Sequence, residues 1–139
     1  MRSVLLTAVF TSLLTGAAMA DVPPPADLKP PRSFTIFFQH AEPNIPEEAD
    51  SLLPQIAEIF TRIGYSAIAI ECHSDNVASQ AINVPLTEDR ARRIKTELVR
   101  YGVPDSAITA VGLGFSDPLI PEAPFETAVS NRRCIIGLS

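Results

Sequence analysis

Apolar and polar positions along the chain change period several times, and each period predicts an element. In SFTIFFQ, Ser33–Gln39, apolar Phe34, Ile36 and Phe38 alternate with their neighbours, which predicts a strand with one buried face. From Pro46 to Ile63 the spacing lengthens. Ile56, Ile59, Phe60 and Ile63 recur at three and four, which predicts an amphipathic helix closed by Gly64. Pro54 falls inside that pattern and either kinks the helix or starts a second piece of it. Ser66–Cys72 is apolar on both faces until Glu71, as a central strand is.

A polar stretch, His73–Pro85, reads as a loop. Thr87 then reads as the N-cap of a second helix, with Glu88 and Asp89 in its first turn. Its buried stripe is Ala91, Ile94 and Leu98, and Gly102 closes it. Ile108–Leu113 and Arg132–Leu138 complete the strands, separated by a Pro-rich loop, Asp117–Asn131. The order β-α-β-α-β-β predicts an α+β fold, a two-layer α/β sandwich with the helices on one face of the sheet.

Residues 1–20 follow neither period. They hold one basic residue, Arg2, an apolar run from Val4 to Leu14, and Ala18-Met19-Ala20 before Asp21. This reads as a secretory signal peptide cleaved after Ala20, and the run is short for a membrane span of ~20 residues. It also explains why a chain of 139 residues is 46% hydrophobic. Residues 21–32, DVPPPADLKPPR, hold five of the thirteen prolines and read as an extended linker. Residues 33–139 form the single folded domain. Without Arg2 the formal charge moves from -5 to -6, a poor balance for gripping nucleic acid. After cleavage no stable membrane span is expected. The exported compartment permits disulfides between the two cysteines, Cys72 and Cys134.

From Glu71 the chain runs ECHSDNVASQAINVPLTEDRARRI. This resembles the signature of the OmpA-like C-terminal domain, E-G-H-T-D followed by N-x-x-L-S-x-x-R-A. The matching positions are Glu71, His73, Ser74, Asp75, Asn83, Leu86, Thr87, Arg90 and Ala91. Gly112-Leu113-Gly114-Phe115 with Pro118 resembles the family's G-x-G-x-x-x-P, and Asn131-Arg132-Arg133 its N-R-R. The resemblance covers residues 33–139. It implies a four-stranded mixed sheet in which the last strand pairs antiparallel with the second.

It also implies a function: non-covalent binding of peptidoglycan in the periplasm of a Gram-negative bacterium, supporting the cell envelope. The family grips the diaminopimelate of the stem peptide with an Asp and an Arg, which fall on Asp75 and Arg90. Asn83 and Thr87 stand beside them as supporting residues. The chemistry is coherent, because the distal carbon of diaminopimelate carries one ammonium and one carboxylate. Asp75 accepts from the first, and Arg90 offers the second a two-bond fork. The backbone N–H groups of a helix starting at Thr87 add to the carboxylate's site. Spacing alone favours a plainer arrangement, in which Asp75 and Arg90 pair with each other and pin the loop onto the helix, and the resemblance reverses that preference.

The chain departs from the family pattern at Cys72, Ala78, Gln39, Ile135, Thr127 and Ala128. The changes at Cys72, Ala78 and Gln39 motivate a second expectation, an interaction module that kept the fold and lost peptidoglycan. It would contact other cell-envelope proteins through the Phe125 loop or the Pro-rich arm. The resemblance puts Cys72 and Cys134 inward on paired strands, either as a disulfide or as two buried thiols.

No enzyme is expected. Cys72 and His73 are neighbours in a strand, so their side chains take opposite faces. His40 and His73 lack the spacing of a metal site, and no cofactor or metal is expected. Arg132 and Arg133 read as a basic spot or, for one of them, as a brace for the strand start.

Overall fold

The computed structural model describes residues 32–139, so the export signal and all but Arg32 of the linker lie outside the described residues. Four strands, β1 (Ser33–Phe37), β2 (Ile68–Cys72), β3 (Ile108–Gly112) and β4 (Arg133–Leu138), form one sheet in the order β1-β4-β2-β3. β4 pairs antiparallel with both β1 and β2, whereas β2 and β3 are parallel. The sheet is therefore mixed. Two helices, α1 (Leu52–Ile63) and α2 (Gln80–Arg100), complete the α+β sandwich. No helix among the described residues is long and apolar enough to cross a membrane.

The strands follow the period-two pattern. Ile36 and Phe38, Ile68, Ile70 and Cys72, and Cys134, Ile136 and Leu138 are buried. Leu53, Ile56, Ala57 and Phe60 of α1, with Ala91, Ile94 and Leu98 of α2, complete the core. The α1 stripe is shifted one turn from its expected position. Ile63 is exposed at the helix end, and Leu53 is buried in its place. Pro54 starts a piece rather than kinking one. A short 3₁₀ turn, Glu47–Ala49, precedes α1, and Pro54 lies in the first helical turn, where its missing N–H has no intrahelical partner to lose. Gly64 closes α1 in the left-handed conformation.

The second helix differs most from expectation. α2 begins at Gln80, so residues 80–85 are helix and not loop, and Thr87 is not its cap. Ser79 stands at the start, its carbonyl accepting from the N–H groups of Ile82 and Asn83. Pro85 forfeits only the bond to the Ala81 carbonyl, and the helix continues through it. α2 crosses closely over the end of β3. A Cβ on Gly112 would fall inside the backbone of Thr87 and Glu88, so only glycine fits there.

Cys72 and Cys134 form a disulfide. They face each other across β2 and β4, next to His73 and Arg133, which exchange both backbone hydrogen bonds. The cysteines therefore occupy a non-hydrogen-bonded pair, the type with the closest Cα atoms, here 4.0 Å apart. The bridge spans 62 residues of sequence. Closing so long a loop restricts the unfolded chain, which predicts that a Cys72→Ala/Cys134→Ala variant loses about 2–4 kcal/mol of stability. Urea unfolding of the variant beside the parent measures it, and equal midpoints would contradict the prediction.

Candidate functional site

β4 runs antiparallel to its neighbours, so its beginning lies beside the ends of β1 and β2. Three chain segments meet there: Phe38–Glu42 after β1, His73–Ala78 after β2, and Asn131-Arg132 before β4. Arg90 reaches the same place from the middle of α2. It shares the inward face of that helix with Thr87, Ala91, Ile94 and Leu98, all buried. A cation on an apolar stripe needs partners, and the structure supplies only some of them.

Arg90 is 0% exposed. Its Nε donates to the Glu42 carbonyl at 2.9 Å and its Nη2 to the Gln39 carbonyl at 3.0 Å. The guanidinium lies over the Phe38 ring, 4.6 Å from its centroid. Nη1 is buried with no hydrogen-bond partner. Burial lowers the Arg90 pKa to about 10, the Asp75 carboxylate opposing that shift and Arg132 adding to it. The group stays charged at neutral pH, but its burial is incompletely compensated.

Asp75 is also buried. Its Oδ2 accepts from Arg132 Nη1 at 2.8 Å and from Thr127 Oγ1 at 2.9 Å, and His40 Nδ1 stands 3.9 Å away. Arg132 has a second task, because its Nε donates to the Phe38 carbonyl at 3.0 Å. One arginine of the N-R-R run thus ties the residue before β4 to the segment after β1. Asp75 and Arg90 do not pair with each other. The ion pair is Asp75–Arg132, which the sequence reading did not assign.

Asp75, Arg90 and Arg132 line one small cavity of about 90 Å³, together with His40, Ala78 and Ile82. That is room for a handful of water-sized groups, the scale of an amino-acid head group. Asn83 also lines it, but its Nδ2 donates to the Ala78 carbonyl at 2.7 Å and pins the loop after β2. Thr87 lies outside the cavity wall. Its hydroxyl donates to the Asn83 and Val84 carbonyls and accepts from the Gly114 N–H at 3.0 Å, joining α2 to the segment after β3. A helix start next to Arg90 is therefore absent, and with it the backbone N–H groups expected to assist a carboxylate. Glu88 and Asp89 are no longer first-turn residues, and Asp89 pairs outward with Arg92 and Arg93.

Four further groups that the sequence motifs did not assign to the site belong to it: Arg132, Thr127, and the carbonyls of Gln39 and Glu42. Thr127 was visible only as a departure from the family pattern. Main-chain carbonyls carry no sequence signal.

The model of the OmpA family matches residues 37–132. An outer membrane protein of Gluconacetobacter diazotrophicus is 30% identical over 115 residues, which are 78% of this chain and 30% of that one. The peptidoglycan-binding protein ArfA of Mycobacterium tuberculosis is 34% identical over 90 residues, 60% of this chain and 28% of that one. The chain thus spans less than a third of the length of these relatives. Among solved structures, the peptidoglycan-associated lipoprotein of Burkholderia pseudomallei superposes with a TM-score of 0.69 at 23% identity, covering 76% of this chain and 89% of that one. The cell wall anchor of the T6SS from Pseudomonas aeruginosa gives 0.63 at 25% identity, covering 76% and 79%.

The buried ion pair makes its own prediction. Asp75→Ala and Arg132→Ala each leave an uncompensated buried charge and should each cost about 3–5 kcal/mol. The double variant should lose less than the sum of the two, and a double-mutant cycle by urea unfolding measures the coupling. Additive losses would show that the two groups stand independently.

Proposed function

The chain belongs to the OmpA family, and from that premise we propose that it binds peptidoglycan non-covalently, gripping the diaminopimelate of the stem peptide between Asp75 and Arg90. The observation that carries this reading is that Arg90, whose buried Nη1 has no hydrogen-bond partner, lines a small cavity that Asp75 lines too. A buried cation left short of acceptors favours an incoming carboxylate strongly, because the desolvation cost is already met in the folded protein.

The mode of contact differs from a two-bond fork. Nε and Nη2 are engaged by Glu42 and Gln39, so Arg90 offers the ligand carboxylate one directed bond from Nη1. The ligand ammonium goes to Asp75. Oδ2 of that carboxylate already accepts two bonds, and Oδ1 is the oxygen left for it. Arg132 and Thr127 hold the carboxylate in place, and Asn83 holds the loop that carries it. Binding is the whole activity on this reading, with no bond made or broken.

The names of the relatives support envelope association, and the reading places the domain, residues 33–139, in the periplasm. Residues 1–20 then direct export, and 21–32 tether the domain. Other envelope proteins are further partners on this view.

Purified protein should sediment with isolated sacculi. Arg90→Lys keeps the charge but cannot hold both carbonyls and aim a third bond, and Asp75→Asn removes the anion. Each should weaken retention about tenfold or more while circular dichroism stays that of the parent. Full retention by both folded variants would reject these residues as the grip. Failure of the parent itself to sediment would reject peptidoglycan.

A further inference from the structure

The segment between β3 and β4 is irregular yet tightly fastened. Asn131 Oδ1 accepts from the N–H groups of Leu119 and Ile120, and Asn131 Nδ2 donates to the Ile120 carbonyl. Glu122 accepts from the Asn76 N–H, and the Phe125 N–H donates to the Asn76 carbonyl at 2.8 Å. Asn131 and Glu122 thus fasten the loop from within, while Leu119, Ile120 and Phe125 are exposed. Phe125 is 80% exposed. It also holds a φ of 66°, a left-handed conformation that a bulky residue adopts only when its surroundings impose it. A rigid, strained loop presenting a bare aromatic ring is a preorganised contact surface.

Its position says what it contacts. Asn76, which holds the Phe125 backbone, directly follows Asp75, and Thr127, two residues beyond Phe125, donates to the Asp75 carboxylate. Ile82, 62% exposed, lines the cavity itself. The cavity admits only a head group, so the rest of any ligand held there lies outside, over these residues.

We propose that Phe125, with Ile82, is a second contact for the ligand: an apolar rim that receives the stem peptide flanking the gripped diaminopimelate. The inference rests on the peptidoglycan reading above. A stem peptide suits the rim because its short methyl-bearing residues cover apolar surface while their amides stay in water. Burying a ring at the edge of a polar pocket also adds specificity for the larger ligand over the isolated amino acid.

Calorimetric titration with three probes tests it: free meso-diaminopimelate, a stem tetrapeptide, and the same tetrapeptide bearing its disaccharide. The variants are Phe125→Asn, which keeps the left-handed backbone without the ring, and Phe125→Leu. Phe125 is exposed, so both should fold, with the unfolding midpoint of the Asn variant equal to the parent's or higher. Both variants should bind the tetrapeptide about five- to tenfold more weakly, the Asn variant more so, with affinity for free diaminopimelate unchanged. Unchanged tetrapeptide affinity overturns the proposal. Equal loss for the tetrapeptide and the free amino acid also overturns it, because the loop would then act only through the cavity. Loss confined to the disaccharide probe assigns the rim to the glycan instead. A parent that binds none of the three fails the peptidoglycan reading itself, an outcome distinct from the others.

Discussion

Two guanidiniums and one carboxylate are buried around one cavity at the end of the sheet, and the surrounding chain is arranged to solvate that imbalance. Arg132 takes the carboxylate of Asp75. Arg90 is left with main-chain dipoles, the carbonyls of Gln39 and Glu42. An unsolvated buried ion costs several kcal/mol even after relaxation, so these carbonyls cannot be given up cheaply. Arg132 also draws on the Phe38 carbonyl, which means both arginines are solvated by the same five-residue segment after β1. Ala41, within it, takes a φ of 53°. It is the third residue of a turn in which the Glu42 N–H donates to the Gln39 carbonyl, and the turn presents carbonyls 39 and 42 to one guanidinium.

That arrangement depends on accurate placement from below. The disulfide fixes the register of β2 against β4 one residue from the point where their ends diverge. Asp75 and Arg132 lie just past that staple, one after the end of β2 and the other before the start of β4. Gly112 lets α2 approach the sheet closely enough for Arg90 to reach over the strand ends. The Phe38 ring then supplies the underside of the guanidinium. Each component is ordinary. Their convergence makes the polar pocket an extension of the hydrophobic core rather than a feature of the surface.

Much of this was legible before any coordinates, and the reasons differ by residue. Strand positions such as Ile36, Ile70 and Ile136 declare themselves through alternation, because a half-buried strand has no other way to separate its faces. The stripe of Ala91, Ile94 and Leu98 is equally plain. Extended upward by the same spacing it passes through Arg90 and Thr87, and that run of buried positions was the available sign that Arg90 is enclosed. The start of α2 was misplaced because Pro85 and Thr87 both carry local signals for a helix beginning. Packing over Gly112 and the Ser79 start outweigh the single bond Pro85 forfeits. The partner of Asp75 was not legible, since whether Arg90 or Arg132 takes the carboxylate depends on strand register and not on spacing. The carbonyls around Arg90 belong to the backbone and leave no trace in residue identity.

The strand order carries a consequence for how the domain comes together. β4 is last of the four in sequence, yet it lies between β1 and β2. β2, α2 and β3 are contiguous and can associate early as a parallel pair with its crossover helix. β1 has no partner until β4 inserts, and its contacts span almost the whole described chain. Non-local pairing of this kind slows folding, because chain ends must be brought together before any of the contacts that hold them exist. The polar pocket, built where β1, β2 and β4 end, is therefore among the last features to form. A chain still lacking its final strand has every residue of the Arg90 helix and the carbonyls of Gln39 and Glu42, but no docked β1 to bring them together.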